Sequence, residues 1–273
     1  LAGKPFGGSK NLAELLGGDH VVKVTDDCVG DGVRKVITDM RAEEVVLLEN
    51  LRFHAGEKNN DEALGKALAA QVDIYINDAF GTCHRAHASM VGLIPHLELA
   101  GGGFLIKKEV ECLGRLLGKV DRPYAALLGG AKVKDKIAVL DNLVPRVDAL
   151  IIGGAMANTF IKAQGGQLGA SRVEDESLHA ARRIIGAARD RGVELLLPED
   201  VLAAESLDAF QGQVVPADAV PDGLMALDIG PATVARYAEK LRQTKTVFWN
   251  GPMGVFEKAA FAGGTMAMAR AMT

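Results

Sequence analysis

Short runs rich in Val, Ile and Leu recur along the chain at 21–24, 45–48, 72–76, 125–128, 149–152, 194–197, 224–229 and 246–249. They are apolar without alternation, which is the pattern of strands covered on both faces. Between them the apolar positions fall at helical spacing. In 175–190, for example, Leu178, Ala181, Ile184, Ile185 and Ala188 form one stripe. Strands alternating with helices in this way predict an α/β protein of parallel, doubly wound sheets.

Many of the expected strands end in a glycine or polar turn: Asn77-Asp78, Gly129-Gly130, Gly153-Gly154, Gly230-Pro231 and Asn250-Gly251-Pro252. Ligands of open α/β sheets bind at the carboxyl ends of the strands, so these turns are expected to line a functional edge. The rhythm changes at Gly101-Gly102-Gly103, a flexible tripeptide before 104–117, which reads as a helix with Leu105, Ile106, Leu113 and Leu116 inward. A stiff helix between two sheet systems predicts two Rossmann-like lobes, 1–103 and 119–273, joined by an interdomain helix at 104–118. No internal repeat or low-complexity segment interrupts this pattern.

Over 273 residues, 48% hydrophobic and 24% charged content fits a soluble globular protein with a real core. A net charge of -4 gives no reason to expect nucleic acid as a partner, so any anion site must be local. Cys28, Cys83 and Cys112 form no CxxC pair and are odd in number, which suits a reducing compartment and predicts small core residues. No apolar run approaches the ~20 residues of a bilayer span. A cytoplasmic protein without membrane contact is expected. The first ten residues carry no initiator Met, and 3–8 (GKPFGG) reads as a loop cut open.

The strongest local signal is 129–136, GGAKVKDK, which closes a buried strand and opens a helix. Glycines allow close backbone approach, and a helix start offers unpaired N–H groups and a positive dipole end. Lys132 and Lys136, at i and i+4 on one helical face, repel each other and oppose the dipole, and a bound anion would relieve both penalties. The alternative is a solvated basic helix face. A Walker A loop and a GxGxxG fingerprint are both missing. A second signal is 77–87, NDAFGTCHRAH, with LRFH at 51–54 after another strand. Arg52 and Arg85 there suit a small phosphorylated or carboxylated molecule, which guanidinium grips in bidentate fashion. Cys83, His84 and His87 are poorly spaced for zinc, and structural hydrogen bonding is an equal alternative for each histidine. The third is 249–257, WNGPMGVFE, where Asn250 and Glu257 suit a ligand or, alternatively, a turn and a helix start. No acid/base pair or GxSxG elbow appears, which suits phosphoryl transfer, where positioning and charge do most of the work.

Together 49–53, 77–87, 129–136, 151–160 (IIGGAMANTF), 227–231 (LDIGP) and 249–257 resemble, in order and spacing, the signatures of bacterial phosphoglycerate kinases. The resemblance implies a glycolytic, monomeric kinase that moves a phosphoryl group between 1,3-bisphosphoglycerate and ADP, giving 3-phosphoglycerate and Mg-ATP. It implies that Arg52, Arg85 and His84 hold phosphoglycerate in the first lobe. In the second, Lys132 would stabilise the transferring phosphoryl and Lys136 and Asn250 would contact phosphates. Glu257 would bind the ribose, and Gly153, Gly154 and Leu227 would border the adenine. Hinge closure, transmitted by the helix at 104–117, would join the lobes and exclude water. The family's DFN and HLGRP segments and its GGGD loop, whose acid would take Mg²⁺, are absent from the chain. Two incomplete lobes with unpaired sheet edges are therefore expected, no residue present is expected to ligate metal, and an inactive nucleotide-binding fragment is the alternative function.

Overall fold

The computed structural model describes residues 21–273, so the loop reading of the first ten residues lies outside the described residues. The chain forms two compact units, Leu1–Arg115 and Leu116–Thr273.

In the first unit, β1 (Val21–Val24) and β2 (Glu44–Leu47) pair in parallel across helix α1 (Asp31–Thr38). Helices α2 (Ala55–Lys58) and α3 (Glu62–Ala69) follow, then β3 (Ile74–Asn77) and its parallel partner β4 (Leu99–Gly102). The core is small: Cys28, Leu64, Leu68, Ala69, Ala88 and Leu93 are buried together. The expected flexible tripeptide is ordered instead. Gly101 and Gly102 pair with Ile76 and Asn77 in β4, and Gly103 N donates to Asn77 O at 2.8 Å. Gly103 is required there because a Cβ would meet Asp78 Cγ at 2.4 Å, and Asp78 Oδ1 accepts from Ile106 N at 2.9 Å as the next helix begins. Only Cys28 follows the expectation of core cysteines. Cys83 and Cys112 are exposed, one in the turn after β3 and the other on an uncovered helix.

Helix α4 (Phe104–Leu117) has the expected bounds but not the expected inward face. None of its residues is buried; Leu105 and Leu113 are exposed, Ile106 and Leu116 half-buried. Leu105, Ile106, Val110, Leu113, Leu116 and Leu117 do fall on one side of the helix, with Phe104 off it, but that stripe is left largely uncovered: Phe104, Val110 and Leu117 are exposed too.

The second unit is built on a parallel sheet ordered β13-β5-β6-β8, comprising β5 (Tyr124–Leu128), β6 (Ala149–Ile152), β8 (Glu194–Leu196) and β13 (Thr246–Asn250). Its crossovers carry α5 (Ile137–Leu143), α6 (Gly154–Ala163), α7 (Leu178–Asp190) and, beyond β8, α8 (Pro231–Arg242); α9 (Gly263–Ala271) closes the chain's described fold. Alternation along β5 explains the run without polar residues. Tyr124, Ala126 and Leu128 face a cluster with Leu140, Phe160, Ala181, Ile184 and Ala188, whereas Ala125 and Leu127 face Tyr237, Leu241 and Met268. A central strand covered on both faces must be apolar at every position, and all five residues of β5 are buried. Tyr237 carries its hydroxyl into this core and donates to Ile152 O at 2.8 Å.

One expected parallel strand belongs elsewhere. β12 (Met225–Ile229) runs antiparallel to β9 (Asp200–Ala204), which also pairs antiparallel with β10 (Gln213–Pro216). A short parallel pair, β7 (Gln167–Leu168) with β11 (Ala219–Val220), packs beside them. The α/β class with parallel sheets stands, with this antiparallel addition.

Candidate active site

Three strands of the second unit end side by side, and their turns are knitted by backbone hydrogen bonds. Gly129 N donates to Asn250 O at 2.9 Å, Gly130 N to Pro252 O at 2.8 Å, Gly154 N to Met253 O at 3.0 Å and Met156 N to Gly130 O at 3.0 Å. Such approach excludes side chains. Gly154 has φ +64°, and a Cβ there would stand 2.6 Å from Gly130 N. The turns wall a cavity of about 180 Å³ beside the end of β12, lined in part by Gly154, Asn158, Leu227, Asp228 and Glu257. Of the residues expected at the nucleotide, Gly154, Leu227 and Glu257 line it directly. Gly153 stands behind the wall, its place for a Cβ taken by Met253 Sδ at 2.5 Å.

The lysine segment departs from expectation. Lys132 lies in an irregular turn, followed by a 3₁₀ turn at Lys134–Lys136, and α5 starts only at Ile137. Lys132 and Lys136 therefore do not share a helical face. The expected free N–H groups are already filled, because Val133 N and Lys134 N both donate to Glu174 Oε2 at 3.0 Å, with Ser177 Oγ 3.2 Å from the same oxygen. A built-in carboxylate occupies the position predicted for a bound anion. Lys136 points its Nζ back at Gly129 O and Asn250 O, and burial holds its pKa below the ordinary lysine value. Lys132 is exposed and has no ion pair among the described residues. Asn250 is used through its carbonyl, and its side chain is exposed.

Asp228 escaped the sequence reading. It is 5% exposed, and burial pushes its carboxyl from 3.8 up to about 6, against the opposing pull of Gly264 N at 2.7 Å and Ile229 N at 2.9 Å. The available signal was an acid inside the apolar run 224–229. Glu174 had no comparable signal, since its partners lie 40 and 41 residues away.

In the first unit, Arg52 sits in a 3₁₀ turn, Leu51–Phe53, whose start is capped by Asn50 Oδ1 accepting from Arg52 N at 3.0 Å. His84 and Arg85 follow the 3₁₀ turn Phe80–Thr82 at the end of β3. All three side chains are exposed, and neither arginine has an ion pair among the described residues. Asp27, Cys28 and His54 form a grouping with potential ligand atoms within 4.8 Å of one another. Burial raises the Cys28 thiol to about 11, and Asp27 Oδ1 already lies 2.6 Å from His54 Nε2, so the thiolate that a metal needs is disfavoured there. Among the described residues, no helix is long and apolar enough to cross a membrane.

The model of the family "Phosphoglycerate kinase" matches residues 8–273. A phosphoglycerate kinase of Anaeromyxobacter sp. (strain Fw109-5) is 53% identical over 265 residues, covering 97% of this chain and 66% of the relative. One from Moorella thermoacetica is 51% identical with 97% and 67% covered. Among solved structures, phosphoglycerate kinase from Coxiella burnetii superposes with a TM-score of 0.75 at 39% identity, covering 97% of this chain and 66% of that one. The enzyme from Pyrococcus horikoshii OT3 does so with a TM-score of 0.81 at 31% identity, covering 97% and 68%. This chain thus spans about 66% of the length of the first curated relatives it matches. With a matching model across nearly all its residues and relatives above half identity, the chain belongs to the phosphoglycerate kinase family.

Proposed function

We propose that the protein is a phosphoglycerate kinase, transferring a phosphoryl group reversibly between 1,3-bisphosphoglycerate and ADP to give 3-phosphoglycerate and ATP. The observation that carries the reading is the cavity where β5, β6 and β13 end beside β12, walled by the glycine turns and lined by Leu227 and Glu257. On this reading Leu227 and Gly154 border the adenine, with Gly153 behind them, and Glu257 accepts from the ribose hydroxyls. Lys136 and Asn250 contact the phosphates. Lys136 has only carbonyl partners for its charge, so a phosphate oxygen would replace weaker acceptors by a full anion. Lys132 stabilises the charge on the phosphoryl in flight, the main demand that such transfer makes on a protein. Arg52, Arg85 and His84 hold phosphoglycerate through its phosphate and carboxylate.

Mg²⁺ enters as part of the Mg-nucleotide. The carboxylates at the cavity do not fit a metal cage: Asp228 is buried with its two oxygens taken by backbone N–H groups, and Glu257 stands alone. Such a metal is held mainly by phosphates and water. On the same reading the protein works in a reducing cytoplasm, which its free cysteines, one buried and two exposed, support.

The test is ATP formation from 1,3-bisphosphoglycerate and Mg-ADP by the 273-residue chain and by Lys132→Ala. Turnover that disappears in Lys132→Ala supports the assignment, and undiminished turnover in that variant refutes the role of the lysine. Nucleotide binding without turnover would favour a nucleotide-binding module instead. Arg52→Ala is expected to weaken 3-phosphoglycerate binding by roughly 1.5 to 3 kcal/mol, the scale of a charged hydrogen bond, and an unchanged dissociation constant would count against it.

A further inference from the structure

The exposed cations of the first unit stand on two segments distant in sequence, and a single buried carboxylate ties them together. Glu57, in α2, follows Arg52 by five residues and is 4% exposed. Its Oε2 accepts from Ser89 N at 3.0 Å and its Oε1 from Ser89 Oγ at 2.6 Å, while His87 Nδ1, also buried, lies 3.5 Å from Oε1. Ser89 follows Arg85 by four residues and lies in a π turn, Ala88–Gly92. That turn is wide because His87 O accepts from Met90 N, Val91 N and Gly92 N together. From the other side Tyr75 Oη, on β3, donates to Ser89 O at 2.8 Å.

A carboxylate withdrawn from water is tolerated only when its lone pairs are used, and here the donors come from the segment that follows Arg85. Removing Glu57 would take away the side-chain hydrogen bonds between the two segments, because no other joins 51–58 to 84–89 among the described residues, although core packing of Leu51, Ala88 and Leu93 would remain. π turns of this kind recur where local geometry serves a site.

We propose that Glu57 is a positioning residue of the phosphoglycerate site, holding the Arg52 turn and the His84-Arg85 turn in fixed register before the ligand arrives. Side chains so supported bind without first having to be ordered. The proposal rests on the reading of the first unit as the phosphoglycerate site.

Its test uses the 273-residue chain with Glu57→Ala, Glu57→Gln and Ser89→Ala. Titrations with 3-phosphoglycerate and separately with ADP are combined with amide hydrogen exchange. Glu57→Ala is expected to weaken 3-phosphoglycerate at least about tenfold, the scale of a lost charged hydrogen bond, with ADP affinity unchanged. Exchange should rise together at 52–54 and 89–92. Glu57→Gln keeps an oxygen and a nitrogen in reach of Ser89 and is expected to retain affinity within about threefold, as is typical when a neutral hydrogen bond replaces a charged one. Wild-type affinity in Glu57→Ala, or faster exchange confined to α2, overturns the proposal. If Glu57→Ala unfolds the whole unit, Ser89→Ala decides: weaker 3-phosphoglycerate binding with β3 still protected supports the coupling, and unchanged affinity overturns it. If the wild-type chain binds ADP but not 3-phosphoglycerate, the reading of the first unit itself fails.

Discussion

Two acids to which the sequence reading gave no role, Asp228 and Glu174, show how residue-scale energetics shape the second unit. Asp228 keeps its proton to about pH 6, well above the ordinary 3.8, because burial disfavours the charged form more than two backbone donors favour it. The folded state therefore binds the proton more tightly than the unfolded chain. Below about pH 4 both states are protonated and Asp228 contributes nothing. Between about pH 4 and pH 6 the unfolded chain ionises while the folded one keeps the proton, so stability falls as pH rises, by about 3 kcal/mol once pH passes 6, from roughly two pH units at 1.36 kcal/mol each. Denaturant titrations at pH 4 and pH 7 should show wild type losing about that much relative to Asp228→Asn, and a pH-independent difference would contradict the argument. Glu174 acts through hydrogen bonds, its carboxylate filling the amides of Val133 and Lys134. Glu174→Ala is expected to destabilise the second unit by about 2 kcal/mol, the scale of hydrogen bonds to a charged group, as read from the urea midpoint. An acid inside an apolar run was visible in the sequence, whereas Glu174 became meaningful only once folding brought it to the lysine segment.

At the scale of elements, apolar runs mark strands whether both faces are covered, as in β5, or residues of the strand are exposed, as in β1 and β3. The eight apolar runs all occur as strands, and the 178–188 stripe buries Ala181, Ile184 and Ala188 as its spacing requires. The antiparallel strands β9 and β10 were not legible, because they are short, mix polar residues and owe their pairing to partners along the chain. The glycines 101–103 misled for a related reason: Gly permits flexibility, but here Gly101 and Gly102 lie in a paired strand and Gly103 closely approaches Asp78. Helix α4 has the right bounds and an uncovered surface. Gly114 in that helix has no atom within 4 Å of a built Cβ, so Gly114→Ala should stabilise the chain by roughly 0.5 to 1 kcal/mol through helix propensity alone. Gly154, by contrast, has positive φ and no room. Gly154→Val should weaken ADP by more than about tenfold in calorimetry through strain and intrusion on the turn of Gly130, and wild-type affinity would remove that turn from the binding site.

At the scale of the molecule the two units are unequal. Among the described residues, the first has one small buried cluster and exposes Val21, Val24, Ile74, Ile76 and Leu99 on its strands, while the second buries both faces of a four-stranded sheet. Burial of apolar surface sets most of the favourable free energy, so the first unit should unfold at lower urea. The single tryptophan, Trp249, lies on β13 and reports the second unit alone. Far-ultraviolet circular dichroism should therefore show an earlier transition than tryptophan fluorescence, and one coincident transition would show that the units unfold together. The family was legible because its motifs stand in order along the chain; the pairing of the sheets and the roles of the buried acids were not.

The most direct measurement is amide hydrogen exchange of the 273-residue chain with ADP and, separately, with 3-phosphoglycerate. The account predicts that ADP protects 129–136, 153–158, 227–230 and 250–257, and that 3-phosphoglycerate protects 50–54 and 84–92. Protection of other segments, or the same segments responding to both ligands, would contradict the assignment of a nucleotide site to the second unit and a phosphoglycerate site to the first.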